Sequence, residues 1–158
     1  MEFVEEFLRL IRNLNANGVS YVLVGGVAMN VHGLVRATED IDLFIEPNAA
    51  NIERLRAALH ATWIDPSIDE ITAEDLCGEY PAIRYGPPSG TLYLDLITRL
   101  GEATQYSDVQ FETVRVQNED VRVATPQTLH RMKRNTVRPI DEADAAALRR
   151  VFKIKDEP

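Results

Sequence analysis

Two aspartates separated by one residue are the first candidates for chemistry in the sequence. Asp40 and Asp42 lie in the stretch 38–45, where polar and apolar positions alternate as in a strand. Because side chains of a strand alternate between its faces, both carboxylates project from one face while Ile41 and Leu43 point into the core. Two like charges held side by side repel unless a cation lies between them, and such an oxygen-rich site suits Mg²⁺. The alternative is a solvated strand face.

A third aspartate lies in an apolar run. Asp95 falls inside a strand predicted at 91–97, and burying a carboxylate there is costly unless it is paired or binds a metal. A neighbouring strand that brought Asp95 to Asp40 and Asp42 would complete a site for two divalent ions, which stabilise the attacking and leaving oxygens of a phosphoryl transfer. The alternative is a strand-edge aspartate that faces water.

A glycine pair stands between a strand predicted at 21–24 and a helix predicted at 27–32. The backbone amides of Gly25 and Gly26, together with the N-terminus of that helix, form a natural cradle for a phosphate anion. The stretch has neither the lysine of a Walker loop nor the third glycine of a dinucleotide fingerprint. Neither of those two binding modes is therefore supported.

The order of these features resembles the signature of the DNA polymerase beta-type nucleotidyltransferase superfamily. In that signature a hydrophobic strand leads to Gly-Gly or Gly-Ser, then to Asp-x-Asp, and then to a distant acidic residue on another strand. The matching residues here are Gly25, Gly26, Asp40, Asp42 and Asp95.

Further motifs are similar to the AbiEii-like group of this superfamily, which includes the toxins of bacterial toxin–antitoxin and phage-defence pairs. One is an Arg-x-Thr before the aspartate pair, and the other is a late Lys followed by Arg-x-x-Asp-x-x-Asp. The residues that carry these motifs are Arg36, Thr38, Lys133, Arg138, Asp141 and Asp144.

The resemblance implies an α/β (α+β) minimal nucleotidyltransferase fold, with a mixed twisted sheet flanked by helices. It also implies two Mg²⁺ ions on Asp40, Asp42 and Asp95, with Asp95 the candidate base near the acceptor hydroxyl. A nucleoside triphosphate (NTP) is the implied substrate, with its phosphates at the glycine pair and Lys133 on the triphosphate. The implied catalytic residues are Asp40, Asp42, Asp95, Lys133 and Asp144, and the implied nucleotide-binding residues are Gly25, Gly26, Arg36 and Thr38.

Basic residues near these motifs have two interpretations each. Arg36 either pairs with the triphosphate through both of its terminal nitrogens or forms a structural salt bridge to Asp40 or Glu39. A basic cluster in an otherwise acidic chain is either a phosphate or RNA contact surface or an ordinary solvated helix face. Its members are Arg131, Lys133, Arg134 and Arg138.

The elements that must position these residues follow from periodicity. Helices are predicted at 2–17, 27–32 and 49–61, followed by a helical region after Pro126 and another over 141–153. Strands are predicted at 21–24, 38–45, 82–85, 91–97, 111–116 and 121–123, the last four as two hairpins with turns at 86–90 and 117–120. The acidic stretch 63–78 is predicted to be a loop with one helical turn near 72–76.

Length and composition limit the class of protein. With 158 residues, 45% of them hydrophobic, and roughly 100–200 residues per domain, the sequence predicts one domain over 1–158, with 126–158 a C-terminal helical extension. No apolar run reaches the ~18 residues of a membrane span, and the acidic N-terminus is unlike a leader peptide, so a cytoplasmic protein is expected. A lone cysteine and three scattered histidines exclude an internal disulfide and a Cys/His zinc site.

The favoured function is Mg²⁺-dependent transfer of a nucleoside monophosphate from an NTP to an acceptor hydroxyl, with release of pyrophosphate. The acceptor is left open between tRNA, a protein and a small molecule, and the protein is a candidate toxin with an antitoxin partner. A net charge of −8 disfavours a large RNA acceptor, whereas the basic cluster favours it. The alternatives are an antibiotic nucleotidyltransferase and a non-catalytic module that binds a nucleotide or a partner.

Overall fold

The computed structural model describes residues 2–38, 40–100, 104–133 and 139–154. Its helices are α1 (Phe3–Ala16), α2 (Gly25–Val31), α3 (Ala49–Thr62), α4 (Ala73–Leu76), α5 (Pro126–Lys133) and α6 (Pro139–Phe152). Its strands are β1 (Tyr21–Val24), β2 (Asp40–Ile45), β3 (Ala82–Tyr85), β4 (Tyr93–Ile97), β5 (Arg99–Leu100), β6 (Thr104–Gln105), β7 (Phe111–Val116) and β8 (Glu119–Ala124). Short 3₁₀ helices cover Pro66–Glu70 and Tyr106–Asp108.

The described strands form a six-stranded sheet in the order β3-β4-β2-β1-β8-β7, and β5 pairs with β6 in a separate ribbon. Neighbours in the large sheet are antiparallel except for β2 with β4 and β1 with β8, which are parallel. The predicted mixed sheet flanked by helices is therefore confirmed. The parallel β2–β4 pair matters most for the site, because it sets Asp42 opposite Asp95.

The first helix shows how the sequence builds the core. Phe7, Leu10, Ile11 and Leu14 recur at helical spacing, and all four are buried. The helix ends just before Gly18, whose φ of +66° is one that glycine adopts without a Cβ clash. Because α1 packs against both α3 and β8, the helices α1 and α3 and the sheet share one apolar core.

A buried amide joins the first two strands at the end of β1 that is remote from the glycine pair. The Asn51 side chain accepts a hydrogen bond from the Ser20 N–H (2.8 Å) and donates to the Ser20 and Glu46 carbonyls (both 3.0 Å). Asn51 is fully buried, so these bonds replace the water that its amide would otherwise bind. They fix the chain entering β1 against the chain leaving β2.

The predicted elements are present, with differences at their ends. The turn predicted at 117–120 is shorter, since Gln117 and Asn118 alone separate β7 from β8 and Gln117 takes the positive φ of a tight hairpin. The stretch 63–78 contains the 3₁₀ helix at Pro66–Glu70 as well as the expected turn, α4. The sequence does not predict the β5–β6 ribbon, because two-residue strands carry no periodic signal. No helix in the described ranges combines the length and apolar character needed to cross a bilayer.

Candidate active site

Three carboxylates lie on adjacent parallel strands, as the sequence predicts. On β2 the partly exposed Asp40 and Asp42 alternate with Ile41 and Leu43, which are fully buried on the opposite face. Asp95 of β4 stands opposite Asp42 in the sheet and on the same face. The alternative of isolated solvated aspartates does not describe this edge, because the register of β2 and β4 sets Asp42 directly opposite Asp95 and the two strands also bring Asp40 to the same face.

Asp42 has the most perturbed environment of the three. Burial, the hydrogen bond with Asp95, and repulsion from Asp95 and Asp40 raise the pKa of Asp42 from 3.8 to about 7, against a smaller opposing attraction from Lys133. Burial and the neighbouring carboxylates disfavour the charged form of Asp42. Among the described residues, three carboxylates thus share this edge with one directly bonded cation, Arg84.

The glycine pair lies directly against these carboxylates. Gly25 has a φ of +74°, and a Cβ at this position would overlap the carboxylate of Asp42. A Cβ on Gly26 would lie 3.0 Å from Cγ2 of Thr38, whose hydroxyl accepts a hydrogen bond from the Asp40 N–H at 3.1 Å. Only a chain without side chains at 25 and 26 can pass this close, which brings backbone to the edge of the acidic site.

Arg84 is a member of the site that the sequence does not predict. Its Nη2 lies 2.8 Å from Oδ2 of Asp40, and its Nε lies 3.0 Å from Oδ1 of Asp95. Pairing of β3 with β4 sets Arg84 opposite Asp95, and the nearby carboxylates raise the pKa of its guanidinium further. The available signal was an arginine in a strand predicted to form a hairpin with the strand of Asp95.

The C-terminal helices supply a second charged group. Nζ of Lys133, at the end of α5, lies 2.9 Å from Oδ1 of Asp141 and 3.2 Å from Oδ2 of Asp144, both on α6. Asp144 also accepts a hydrogen bond from Nε of Arg36 at 3.2 Å. Asp141 and Asp144 are buried, so this network joins α5, α6 and the segment after α2 in one set of ion pairs.

These groups meet at one cleft. Its volume of about 440 Å³ lies within the roughly 300–1,000 Å³ typical of small-molecule sites. The sequence-predicted residues that line it are Gly25, Gly26, Arg36, Thr38, Asp40, Asp42, Asp95 and Lys133. Asp144 does not line the cleft but bonds Lys133 and Arg36, which do, so the structure brings every predicted site residue to the cleft or directly behind it.

Two expectations about basic residues change with the structure. The described carboxylate partner of Arg36 is Asp144 rather than Asp40, while Glu39 lies outside the described residues. Lys133 does not lie on a solvated helix face, because its side chain is only 13% exposed and is held between two aspartates. Arg131 is exposed, and Arg134 and Arg138 fall outside the described residues.

The carboxylates suit a divalent metal by their chemistry. Carboxylate oxygens are the ligands that Mg²⁺ prefers, and burial together with the neighbouring carboxylates raises the pKa of Asp42 at this site. Across the described residues, no three acidic, His or Cys side chains already form a preformed metal cage. The guanidinium of Arg84 bonds the carboxylates of Asp40 and Asp95.

The fold defines the class of protein. A crystal structure of an antigenic nucleotidyltransferase-like protein from Paracoccidioides brasiliensis superposes with a TM-score of 0.58 at 19% identity, covering 90% of this chain and 73% of that one. The crystal structure of JHP933 from Helicobacter pylori gives a TM-score of 0.50 at 16% identity, covering 94% of this chain and 65% of that one. The chain therefore has a nucleotidyltransferase-like fold.

The sequence identifies the family within this class. The family model described as the nucleotidyl transferase AbiEii toxin of a type IV toxin–antitoxin system matches residues 8–148. The chain belongs to the AbiEii family, which confirms the resemblance drawn from its motifs. The search of curated proteins gives no match.

Proposed function

We propose that the protein is a Mg²⁺-dependent nucleotidyltransferase that moves a nucleoside monophosphate from an NTP to an acceptor hydroxyl. The observation that carries this proposal is the meeting of Asp40, Asp42 and Asp95 beside the Gly25-Gly26 turn in one cleft. Membership of the AbiEii family supports the same reaction class.

The residues that would hold the metal are Asp40, Asp42 and Asp95. Asp42 is the central member, since it contacts Asp95 and is repelled by both of the other carboxylates. Bound there, Mg²⁺ would neutralise negative charge on the reacting phosphate oxygens and on the leaving pyrophosphate. The positive charge would also favour the ionised form of Asp42.

In the proposed reaction, the acceptor oxygen bonds to the α-phosphorus while the bond from that phosphorus to the pyrophosphate oxygen breaks. The hydroxyl proton passes to the carboxylate of Asp95, which is the base in this scheme. The bare backbone at Gly25 and Gly26 allows the phosphates to approach Asp42 closely. Lys133 and Arg36, which line the same cleft, attract and orient the triphosphate.

The biological role we propose is that of a toxin restrained by an antitoxin protein, because the family model describes toxins of this kind. The candidate acceptors remain a tRNA end, a protein hydroxyl and a small molecule. The wall of the cleft contains both carboxylates and cations, so it suits a metal-bound triphosphate better than a bare anion.

The test is transfer of label from each α-³²P NTP, with Mg²⁺, into total RNA and protein, with a small-molecule panel run in parallel. Wild type should label one acceptor class, and Asp42→Asn should label none. Asp69→Asn is the matched control, because Asp69 is an exposed aspartate paired with His60. Expression of wild type should also slow growth, and Asp42→Ala should relieve this effect.

Two outcomes would overturn the proposal. Label transfer that persists in Asp42→Asn would remove the aspartates from the chemistry. NTP binding by calorimetry without transfer to any acceptor would favour the non-catalytic binding module instead. Label confined to an aminoglycoside or lincosamide would retain the reaction but assign the protein to antibiotic modification.

A further inference from the structure

The guanidinium of Arg84 is bonded to two of the three carboxylates. Its Nη2 contacts Oδ2 of Asp40 at 2.8 Å and Oδ2 of Asp95 at 3.4 Å, and its Nε contacts Oδ1 of Asp95 at 3.0 Å. This is a planar donor that bridges oxygens from two parallel strands. The guanidinium therefore places a positive charge on Asp40 and Asp95 at the position where a bound metal ion would place one.

The guanidinium of Arg84 also makes a cation–π contact with an aromatic ring. Its guanidinium carbon lies 5.0 Å from the centroid of Tyr93, which follows the turn between β3 and β4. A Cβ on Gly86 would lie 3.0 Å from Cε1 of that ring, so the turn packs closely against it. The guanidinium is thus held over the carboxylates by stacking as well as by charge.

The ion pairs of Arg84 are exposed to solvent. More than half of its side chain (55%) is exposed, and an exposed ion pair contributes little net stability. A divalent ion attracts the same oxygens more strongly because it carries twice the charge in a smaller volume. The same carboxylate oxygens cannot make close contacts with both cations at full strength.

We propose that Arg84 is an exchangeable counter-ion that occupies Asp40 and Asp95 in the metal-free protein and competes with the divalent metal for them. Arg84 then sets how much free metal is needed to load the site. This inference rests on the proposed function for the metal site itself. The opposite role is a permanent ion pair that positions the carboxylates of Asp40 and Asp95 for the metal. In that case, loss of Arg84 would weaken metal binding.

The test is titration of the purified protein with Mn²⁺ alone, reading the free-ion signal by electron paramagnetic resonance. Arg84→Gln should bind Mn²⁺ about tenfold more tightly than wild type, because a competing unit charge has been removed. Arg84→Lys should show a smaller gain, since a lysine keeps the charge without the bridging geometry. Arg115→Gln is the matched control, because Arg115 forms an exposed ion pair with Asp120 on the β7–β8 hairpin. It should change the affinity less than about twofold.

The outcomes separate this inference from the proposed function. Mn²⁺ binding by wild type that is equal or weaker in Arg84→Gln would overturn the competition while leaving the metal site in place. Absence of Mn²⁺ binding in wild type and in both Arg84 variants would overturn the competition and the metal site together. Thermal unfolding checks that each variant is folded, and Arg84→Lys decides the question by the same criterion if Arg84→Gln is not.

Discussion

The two charged regions of the cleft differ in how their charges are matched. At the β2–β4 edge, burial of Asp42 together with the neighbouring carboxylates of Asp95 and Asp40 raises the pKa of Asp42 to about 7. In the second region, Lys133 and Arg36 line the same cleft, where Lys133 bonds both Asp141 and Asp144 and Arg36 bonds Asp144 as well. In the described part of the chain, the first region sets three carboxylates against one cation, Arg84, whereas in the second region two cations face two carboxylates. We infer that the first is built for a ligand and the second for holding cations in place.

The largest expected effect is on catalysis, at the carboxylate edge. Asp95→Asn should lower the rate of nucleotide transfer by about a thousandfold, a loss of the size seen when a charge-stabilising group is removed. Its melting temperature should not fall, because the substitution also relieves repulsion with Asp42. Label-transfer rates and thermal melts check both parts. A parallel loss of rate and stability would place Asp95 with the structural residues instead.

The second region should respond in the opposite way, through stability. Asp144→Asn removes a nearly buried partner of two cations, and loss of one member of a buried ion pair costs about 3 kcal/mol. Asp120→Asn is the control, because its exposed pair with Arg115 should contribute less than about 1 kcal/mol. Urea unfolding measures both. Equal losses of unfolding free energy in the two variants would show that the buried ion pairs stabilise the fold no more than the exposed pair does.

A smaller effect should separate backbone strain from crowding at the glycine pair. Gly25→Ala and Gly90→Ala each place a Cβ on a residue with positive φ, which costs about 1–2 kcal/mol. Gly90 has no atom within 4 Å of the new Cβ, whereas at Gly25 it would overlap Asp42. Gly25→Ala should therefore lose more stability and should also lose transfer activity. Full activity in a folded Gly25→Ala would contradict the close approach.

The smallest expected effect is a dependence of stability on pH. The pKa of Asp42 is raised from 3.8 to about 7, so between these values the folded state binds a proton that the unfolded state has released. In metal-free protein, the stabilisation linked to this group is present at low pH and is lost as pH rises through about 7. Asp42→Asn should therefore raise the melting temperature by about 5 °C more at pH 8 than at pH 5.

The groups that act on Asp42 are Asp40, Asp95 and Lys133, and Arg84 contacts the first two. The Asp42→Asn comparison is sharpened by adding Mg²⁺, which should stabilise wild type at pH 8 and have little effect on the variant. Identical pH profiles of unfolding in the two proteins would show that Asp42 titrates normally.

The carboxylate edge could be predicted because its signals are local. Alternation along β2 fixes the face of Asp40 and Asp42 without reference to any other strand. Two adjacent glycines after an apolar strand mark a close backbone approach, although the contact with Asp42 itself depends on the antiparallel register of β1 and β2, which sets Val24 opposite Asp42.

The place of Arg36 in the second, charge-balanced region could not be predicted, because its contact is long-range. Arg36 and Asp144 are 108 positions apart in the chain, and nothing near either residue specifies the other. Arg84 was missed for a related reason. Its place opposite Asp95 requires the register of the β3–β4 hairpin, and the long turn between these strands does not fix that register from sequence.

The buried amide of Asn51 gives the active edge a remote point of alignment. A slip of β2 by one residue would turn Asp40 and Asp42 into the apolar interior and bring Ile41 to the cleft, because strand side chains alternate. Asn51 bonds Ser20 and Glu46 at the far end of the β1–β2 pair, so it acts on the one degree of freedom that such a slip requires. Asn51 does not line the cleft, yet by holding the register of β1 and β2 it keeps Asp40 and Asp42 on the face that does.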